Sequence, residues 1–362
     1  MTVPKSMTMH DRMLAFVRAE PHDRVPFVQY SNIAAPNREI WSLIGRGNMG
    51  VLKWSNAHRL EFPQCRFVSE PTVHGELKGE RKTLYTPAGA ITEQRVFEPA
   101  YGGAAWQKHF VETPDDYLVL MAYLRDIVVC ADYDHVWRDA EEMGQDGLAH
   151  VAVQRTPYQQ LWVEWTGLAP LTEHMADYPE LVAECVDLMT GIQRQIFQVV
   201  RRGVDAGVPI HYVDVPDNVT APVLGRRNFA KYCVPLYQEL ADLLAPCKVP
   251  VFVHMDGDLQ PFWQLIADSG VRGLDSMSPP PDNDTSVAQA LAMWPEMRVG
   301  INFPSSVHLL PPAEIYAATM QILHEGGRSG RLQIQVSENV PEGIWRNSYP
   351  QIAGAVRDFS AA

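Results

Sequence analysis

Short apolar runs alternate with amphipathic stretches through the second half of the chain, and this alternation limits the possible folds more than any other feature. Each apolar run has the length of a strand, and each amphipathic stretch has the 3.6-residue period of a helix. Strands that alternate with helices in this way are typical of a parallel sheet. The predicted strands are residues 209–214, 249–254, 273–277, 297–302 and 332–336, and the predicted helices are 178–204, 227–244, 258–268, 285–294 and 312–325.

The first half is less regular. Strands are predicted at residues 24–30 and 150–155, and an eighth is expected between residues 95 and 140. Residues 64–98 mix apolar, polar and glycine residues as antiparallel ribbons do, with a turn at 85–91, so we expect a β-rich excursion over the barrel mouth. The fold class is therefore α/β, a (β/α)8 TIM barrel that occupies residues 1–362 as a single domain, because such barrels hold about 250 to over 400 residues.

Composition and charge exclude several classes of protein. Apolar residues make up 46% of the chain and charged residues 20%, which suffices for a large core. A formal charge of -13 repels polyanions, so neither nucleic acid nor an anionic membrane is an expected partner. The five cysteines are scattered, and neither a signal peptide nor an apolar run of 18 residues occurs. We therefore expect a cytoplasmic protein.

The sequence gives no support for a nucleotide-binding site. The one G-x-G-x-x-G match, residues 45–50, follows a stretch at 39–44 that has the pattern of a short helix, whereas a dinucleotide site requires a strand there. We interpret these glycines as a loop. The chain also lacks a Walker phosphate loop, a G-x-S-x-G elbow and an H-E-x-x-H motif.

The candidate active site begins where the apolar strand 249–253 ends in His254-Met255-Asp256-Gly257. Catalytic groups of barrel enzymes lie at such carboxyl ends of strands. Side chains alternate along a strand, so His254 and Asp256 point the same way, and Gly257 permits a sharp turn. One imidazole and one carboxylate together can bind a metal or form an acid/base pair. The alternative is that Asp256 caps the helix that opens near Asp258 and that His254 is merely hydrogen-bonded.

Other strand ends supply further candidates, each with a structural alternative. Asp217 follows the strand at 209–214 and is either a catalytic acid/base or a cap of a turn. Glu338 follows the last strand and either converges on His254 and Asp256 or is an ordinary surface carboxylate. Asn302, at the end of its strand, either hydrogen-bonds a ligand or begins a turn.

Aromatic residues suggest a substrate pocket. Trp162, Glu164 and Trp165 follow the strand at 150–155, and the chain holds nine tryptophans. Aromatic side chains line many ligand pockets, although they occur more often in cores. Glu164 and Trp165 are therefore candidate substrate-binding residues, together with Asn218 and Asn302.

Several segments taken in order resemble the uroporphyrinogen decarboxylase superfamily, which includes corrinoid-dependent methyltransferases. This resemblance covers nearly the whole chain and implies a (β/α)8 barrel with its active site at the barrel mouth. The segments are residues 18–26 (RAEPHDRVP), 85–89 (YTPAG), 177–182 (DYPELV), 203–207 (GVDAG), 254–257 (HMDG) and 339–343 (NVPEG).

Departures from the family pattern indicate the branch. Authentic uroporphyrinogen decarboxylases carry arginines just after the first strand for the substrate carboxylates, but here residues 27–36 contain none and the first is Arg38. The methyltransferase branch uses H-x-C and a later cysteine as zinc ligands. This sequence is similar at His254, has Asp256 in place of the first cysteine, and has Glu338 near the later one. The resemblance thus implies zinc or another divalent metal on His254, Asp256 and Glu338.

The leading functional hypothesis follows from these ligands. Imidazole and carboxylates make a harder Lewis acid than thiolates do, better matched to an ether oxygen than to a thiol. We therefore expect a methyltransferase that demethylates a small methoxy compound and passes the methyl group to a corrinoid on a separate protein, since the chain has no D-x-H-x-x-G motif. The alternatives are a metal-independent decarboxylase or lyase, with Asp217 or Asp256 as acid/base, and a non-catalytic corrinoid- or tetrapyrrole-binding protein.

Overall fold

The computed structural model describes residues 7–97, 103–338 and 340–361. Its secondary structure alternates strands and helices through the second half, as the sequence predicts. The strands are β1 (Phe27–Tyr30), β2 (Gly50–Ser55), β3 (His58–Glu61), β4 (Arg66–His74), β5 (Leu77–Thr86), β6 (Gly89–Phe97), β7 (Ala104–Lys108), β8 (Val128–Ala131), β9 (Gly147–Ala152), β10 (Val213–Val215), β11 (Val251–His254), β12 (Gly273–Met277), β13 (Arg298–Asn302) and β14 (Leu332–Val336).

Of the five helices predicted for the second half, those at 178–204, 285–294 and 312–325 are observed within two residues of both ends. The helix predicted at 227–244 is divided by a short π-helical turn at Phe229–Cys233, and the one predicted at 258–268 begins with a short 3-10 turn at Gln260–Phe262. The α-helices are α1 (Met9–Arg18), α2 (Asn37–Ile44), α3 (Pro114–Asp126), α4 (Tyr133–Met143), α5 (Pro157–Gln160), α6 (Leu168–Asp177), α7 (Pro179–Asp205), α8 (Ala221–Asn228), α9 (Val234–Leu244), α10 (Trp263–Ala267), α11 (Val287–Met293), α12 (Pro312–Gly326) and α13 (Trp345–Ala361).

Eight strands close a parallel barrel in the order β1-β14-β13-β12-β11-β10-β9-β2. Every residue of β11, β12 and β14 is buried, as expected for barrel strands that are covered on both faces. The chain therefore has the predicted (β/α)8 TIM-barrel fold.

The prediction for the eighth barrel strand is wrong. That strand is β2, whereas β8, which lies between residues 95 and 140, pairs with β3 outside the barrel. β2 escaped detection because it carries Lys53 and Trp54, which a strand buried on both faces does not normally hold. The Lys53 ammonium lies 2.9 Å from Asp139 of α4 and also pairs with Glu142, so its charge is neutralised beside the barrel.

Helix α1 closes the amino-terminal end of the barrel. Its Met13 and Phe16 belong to one buried cluster with Leu52 and Phe252 of the strands. The His10 ring nitrogen Nδ1 lies 2.9 Å from the carbonyl oxygen of Gly147, where β9 begins. The carboxyl ends of the strands, where enzymes of this fold place their chemistry, lie away from α1.

The chain divides into two compact units. The first unit contains the barrel and comprises residues 1–56, 133–152 and 203–362, and the second comprises 57–132 and 153–202. The second unit contains the antiparallel sheet β4-β5-β6-β7 and the pair β3-β8, so the predicted β-rich excursion is confirmed. The predicted turn at residues 85–91 joins β5 to β6, with Thr86 paired to Gly89. No helix in the described part of the chain is long and apolar enough to cross a membrane.

Candidate metal centre

Three of the sequence-predicted residues converge at the carboxyl ends of the barrel strands. Ligand atoms of His254, Asp256 and Glu338 all lie within 4.8 Å of one another. The His254 Nε2 atom is 3.7 Å from Asp256 Oδ2 and 4.0 Å from Glu338 Oε1. His254 ends β11 and Glu338 follows β14, three strands further round the barrel, so the barrel closure brings them together.

The turn after β11 leaves the Asp256 carboxylate available. Helix capping there comes from Asp284, whose carboxylate accepts the backbone N–H of Leu259 at 2.9 Å and that of Gln260. The Asn283 side chain donates to the Asp256 carbonyl oxygen at 2.8 Å and fixes the backbone of the turn. The capping role that was the alternative for Asp256 is thus performed by the next loop.

Gly257 is required because the backbone passes very close to the loop after β10. A Cβ atom on Gly257 would lie 2.1 Å from the Thr220 side chain and 2.8 Å from its Cα. The two loops are also joined by hydrogen bonds, from Gly257 N to Val219 O at 3.1 Å and from Ala221 N to Asp258 O at 2.9 Å. The glycine therefore holds Asp256 in place through close packing of two loops.

A buried carboxylate that the sequence interpretation missed orients His254. Asp275 lies beside His254 in the register of β11 and β12, and its Oδ2 atom is 3.3 Å from His254 Nδ1. Asp275 also accepts hydrogen bonds from the Tyr30 hydroxyl and, at 2.8 Å, from the Gln335 amide. A hydrogen bond from Nδ1–H to a carboxylate leaves Nε2 free to bind a cation, the usual arrangement around a metal-binding histidine.

An irregularity in β12 builds this network. Ser276 has a φ of 61°, and the pairing of β12 with β13 shifts its register between Leu274 and Met277. Successive side chains of a regular strand point to opposite faces, but here Asp275 and Ser276 both contact Tyr30 and Gln335. Backbone strain of this kind accumulates at functional sites.

The electrostatics of the cluster favour a positive charge. Burial by itself lowers the pKa of His254, but hydrogen bonds with Asp256 and Asp275 outweigh it and raise that pKa well above its ordinary value. Burial raises the pKa of Glu338; the His254 ring opposes this increase, and the charges of Asp256 and Asp275 add to it. Three carboxylates therefore surround one imidazole, and either a proton on the ring or a metal cation neutralises part of their charge.

The donor set fits a divalent metal. One imidazole nitrogen and two carboxylate oxygens are acceptable ligands for zinc and for harder metals. Metal–ligand bonds of about 2.1 Å in a tetrahedral site put neighbouring ligand atoms roughly 3.4 Å apart. The separations of 3.7 and 4.0 Å from His254 Nε2 need only a small contraction.

The rings of Trp54 and His150 pack against Tyr30, whose hydroxyl lies 3.4 Å from His254 Nδ1. Trp54 packs edge-on against Tyr30 and His150, at 5.5 and 5.9 Å between ring centres, and is 40% exposed. His150 stacks on Tyr212 with an interplanar angle of 13°. Burial lowers the pKa of His150 to about 4, so this imidazole is neutral at pH 7. The sequence did not predict Trp54 and His150 as site residues. The strand β2, which carries Trp54, was not recognised, and His150 lies within a buried strand.

Asn302 supports the segment that carries Glu338. Its side-chain oxygen accepts hydrogen bonds from the Ser337 backbone at 3.1 Å and from the Ser337 hydroxyl at 3.0 Å. Its amide nitrogen lies 3.5 Å from the Ser278 hydroxyl. Asn302 thus positions the residue that precedes Glu338, and its predicted contact with substrate stays a prediction.

The other predicted residues are not members of the cluster formed by His254, Asp256 and Glu338. Asp217 is fully buried and accepts a hydrogen bond from Tyr237 of α9, while Asn218 is half-buried in the loop after β10. Glu164 and Trp165 belong to the second unit. Glu164 is 3.3 Å from the Arg155 guanidinium, and Trp165 packs against aromatic rings. The catalytic role of Asp217 and the substrate contacts of Asn218, Glu164 and Trp165 stay predictions.

A known protein family matches part of the chain. Residues 165–333, slightly under half of the chain, match the family model of uroporphyrinogen decarboxylase (URO-D). The resemblance to this superfamily is confirmed. The URO-D segment runs from the second unit through β10–β13 to the start of β14 and includes His254 and Asp256. Of the motifs that carried the resemblance, Asn339 lies outside the described residues.

Solved structures are similar to this chain at low sequence identity. A methyltransferase from Methanosarcina mazei is 13% identical, with a TM-score of 0.57, and the match covers 98% of this chain and 99% of that one. A B12-independent methionine synthase from Shewanella sp. W3-18-1 is 10% identical over 89% of this chain and 86% of its own, with a TM-score of 0.42, which is too low to carry an argument. No curated protein is detectably similar in sequence.

Proposed function

We propose that this protein is a methyltransferase that binds a divalent metal on His254, Asp256 and Glu338 and demethylates a small methoxy compound, with a corrinoid on a separate protein as the methyl acceptor. The observation that carries the proposal is the convergence of the three ligand atoms within 4.8 Å. The URO-D match over residues 165–333 and the fold shared with a methyltransferase support it.

Each residue of the cluster has a defined part in this proposal. Asp275 accepts the Nδ1 proton of His254 and keeps Nε2 directed at Asp256 and Glu338. Tyr30 and Gln335 hold Asp275 in turn, and burial raises the Tyr30 pKa well above its ordinary value, so its hydroxyl remains a donor. When bound, the metal would supply a Lewis acid for the methyl-bearing oxygen.

The reaction itself is a simple displacement. The carbon–oxygen bond of the methoxy group would break, and a reduced corrinoid on the separate protein would supply the nucleophile that accepts the methyl group as a cation equivalent. The oxygen leaves with the electron pair of the broken bond and takes a proton from solvent. An ether oxygen is a poor leaving group, so it needs an electrophile to polarise it. A metal held by hard oxygen ligands suits this substrate class better than a metal held by thiolates does.

Activity on methoxybenzoates tests the proposal. The purified chain is incubated with 2-, 3- or 4-methoxybenzoate and reduced cobalamin, and methylcobalamin formation is followed by absorbance. We expect turnover that a chelator abolishes and zinc restores, and at least 100-fold less activity in His254→Ala and Glu338→Ala. Metal-free protein with full activity would rule out the metal role.

Two alternatives are separated by the same assay. Release of carbon dioxide from a carboxylic acid, indifferent to chelator and to cobalamin, would identify a metal-independent decarboxylase or lyase. Cobalamin binding without turnover of any methyl donor would identify a corrinoid-binding protein.

A further inference from the structure

The second unit contains a cavity of about 430 Å³ that is lined by aromatic and charged side chains in equal number among the described residues. Its lining residues in the described part of the chain belong to that unit, within residues 67–165. Its volume lies within the range of pockets that bind small molecules, roughly 300–1,000 Å³. We call this cavity the aromatic pocket, after five side chains that line it: Phe67, Trp106, Phe110, Tyr123 and Trp165.

The aromatic rings form continuous walls. Phe67 lies 5.3 Å from Tyr123 and 6.1 Å from Phe110 between ring centres. Trp165 lies 5.3 Å from Phe110 and 5.6 Å from Tyr123. Rings in mutual contact are held in fixed orientations, so they offer a rigid apolar surface to a planar ligand at small entropic cost.

Two of the three cations at the aromatic pocket already have carboxylate partners. Arg95 lies 2.9 Å from the buried Glu93 and stacks over Trp106 at 4.5 Å. Arg155 lies 3.3 Å from Glu164. In each pair the carboxylate neutralises the guanidinium, and the two pairs hold the polar part of the pocket wall in place. They therefore offer no net charge to a ligand.

Lys82 is different. Its ammonium group lies 4.6 Å from the centre of the Phe67 ring, and within the described residues no carboxylate comes within 4.0 Å of it. The side chain is half-buried at the pocket, in a protein whose formal charge is -13. Glu93 faces Lys82 across β5 and β6, but its carboxylate is already paired with Arg95 and accepts a hydrogen bond from Trp106. Lys82 therefore supplies a positive charge beside the aromatic rings that selects for a ligand with one negative charge.

We propose that the aromatic pocket binds a small planar aromatic carboxylate, whose ring lies against the aromatic walls and whose carboxylate pairs with Lys82. This assigns Trp165 and Glu164 to a ligand site of the second unit, with Trp165 as wall and Glu164 as the partner of Arg155. The inference does not depend on the metal centre, because the lining residues that the structure describes all belong to the second unit.

Calorimetric titration of the full chain with 2-naphthoate tests this site. We expect saturable binding at one site per chain. Lys82→Gln should weaken it by about tenfold or more, since a charge-assisted hydrogen bond is lost. The matched control is Lys78→Gln, because Lys78 is exposed on the same strand and does not line the pocket. That variant should bind as the wild type does.

Two further measurements keep the proposal falsifiable. The neutral analogue 2-naphthylmethanol should bind at least tenfold more weakly than 2-naphthoate, and equal affinity would overturn the role of charge. His254→Ala should bind 2-naphthoate with unchanged affinity, whereas loss of binding would place the ligand at the metal centre instead. Absence of saturable binding to the folded wild type would also overturn the proposal.

Discussion

At the scale of single residues, the most important group is one that the sequence interpretation did not select. The strand that holds Asp275 is predicted correctly, but nothing in the sequence indicates that its carboxylate meets Tyr30 and Gln335, which lie 245 and 60 positions away along the chain. The pattern of a strand predicts the face on which a side chain lies. It does not predict which residues lie near that side chain across the barrel. His254, Asp256 and Glu338 were accessible to prediction because each stands at or just after the end of a strand.

Replacement of Asp275 should weaken metal binding without unfolding the barrel. Asp275→Asn removes the charge that orients His254 Nδ1, and loss of such an outer partner typically costs about 10–100-fold in metal affinity. Zinc affinity is measured by competition with a chelating dye. The control is Asp217→Asn, which is equally buried but bonded to Tyr237.

Asp217→Asn should give the opposite pair of results. It should keep wild-type zinc affinity and lose about 1–3 kcal/mol of unfolding free energy, because Tyr237 loses a charged hydrogen-bond partner. Equal zinc affinities for Asp275→Asn and the wild type would refute the orienting role.

At the scale of elements, the loops after the strands were harder to predict than the strands themselves. β11, β12, β13 and β14 are found within two residues of their predicted ends, because each is a continuous apolar run. β2 was missed because its lysine, Lys53, is neutralised by Asp139 of α4, a contact that no local pattern shows. The capping of the β11 loop by Asp284 likewise involves a residue from the following loop.

Gly257→Ala tests the packing of the two loops. The added Cβ would overlap Thr220, so we expect a loss of about 1–3 kcal/mol of unfolding free energy and weaker metal binding. Gly191→Ala is the matched control, since a Cβ there meets no atom within 4 Å and the residue lies exposed in α7. It should stabilise the protein by roughly 0.5–1 kcal/mol in chemical denaturation.

His308 should make the stability of the protein depend on pH. It lies buried between β13 and α12, with Nδ1 2.8 Å from the Ser348 hydroxyl of α13, and burial lowers its pKa to about 4 despite the nearby Asp282. The unfolded chain, with a histidine pKa of about 6.5, takes up the proton first. Stability is therefore lost as pH falls from about 6.5 to 4, by up to roughly 3 kcal/mol for this residue.

Denaturation of His308→Leu at several pH values checks this expectation. The variant should lose less stability than the wild type between pH 6.5 and 4. His74→Leu, at an exposed position, should follow the wild-type profile. A wild-type slope in His308→Leu would show that His308 does not contribute.

At the scale of the whole molecule, charge and chain organisation decide which substrates are suitable. The barrel was predictable from the alternation of strands and helices, while the arrangement of the second unit was not, because two separate segments of chain, 57–132 and 153–202, build it. The net charge of -13 and the absence of arginine from residues 27–36 make a polycarboxylate such as uroporphyrinogen a poor ligand.

This charge argument leads to a negative prediction for the reaction after which the family is named. Incubation of the protein with uroporphyrinogen under anaerobic conditions should leave the substrate unchanged when products are separated by chromatography. Measurable formation of decarboxylated porphyrinogens would show that cationic groups outside residues 27–36 can hold the substrate.

The metal centre is tested most directly by calorimetric titration of zinc into the metal-free full chain. We predict one site per chain, with affinity at least 100-fold lower in each of His254→Ala, Asp256→Ala and Glu338→Ala. Each variant is first shown to be folded by its thermal transition. Zinc affinity that is the same in the wild type and in all three variants would contradict the proposed centre.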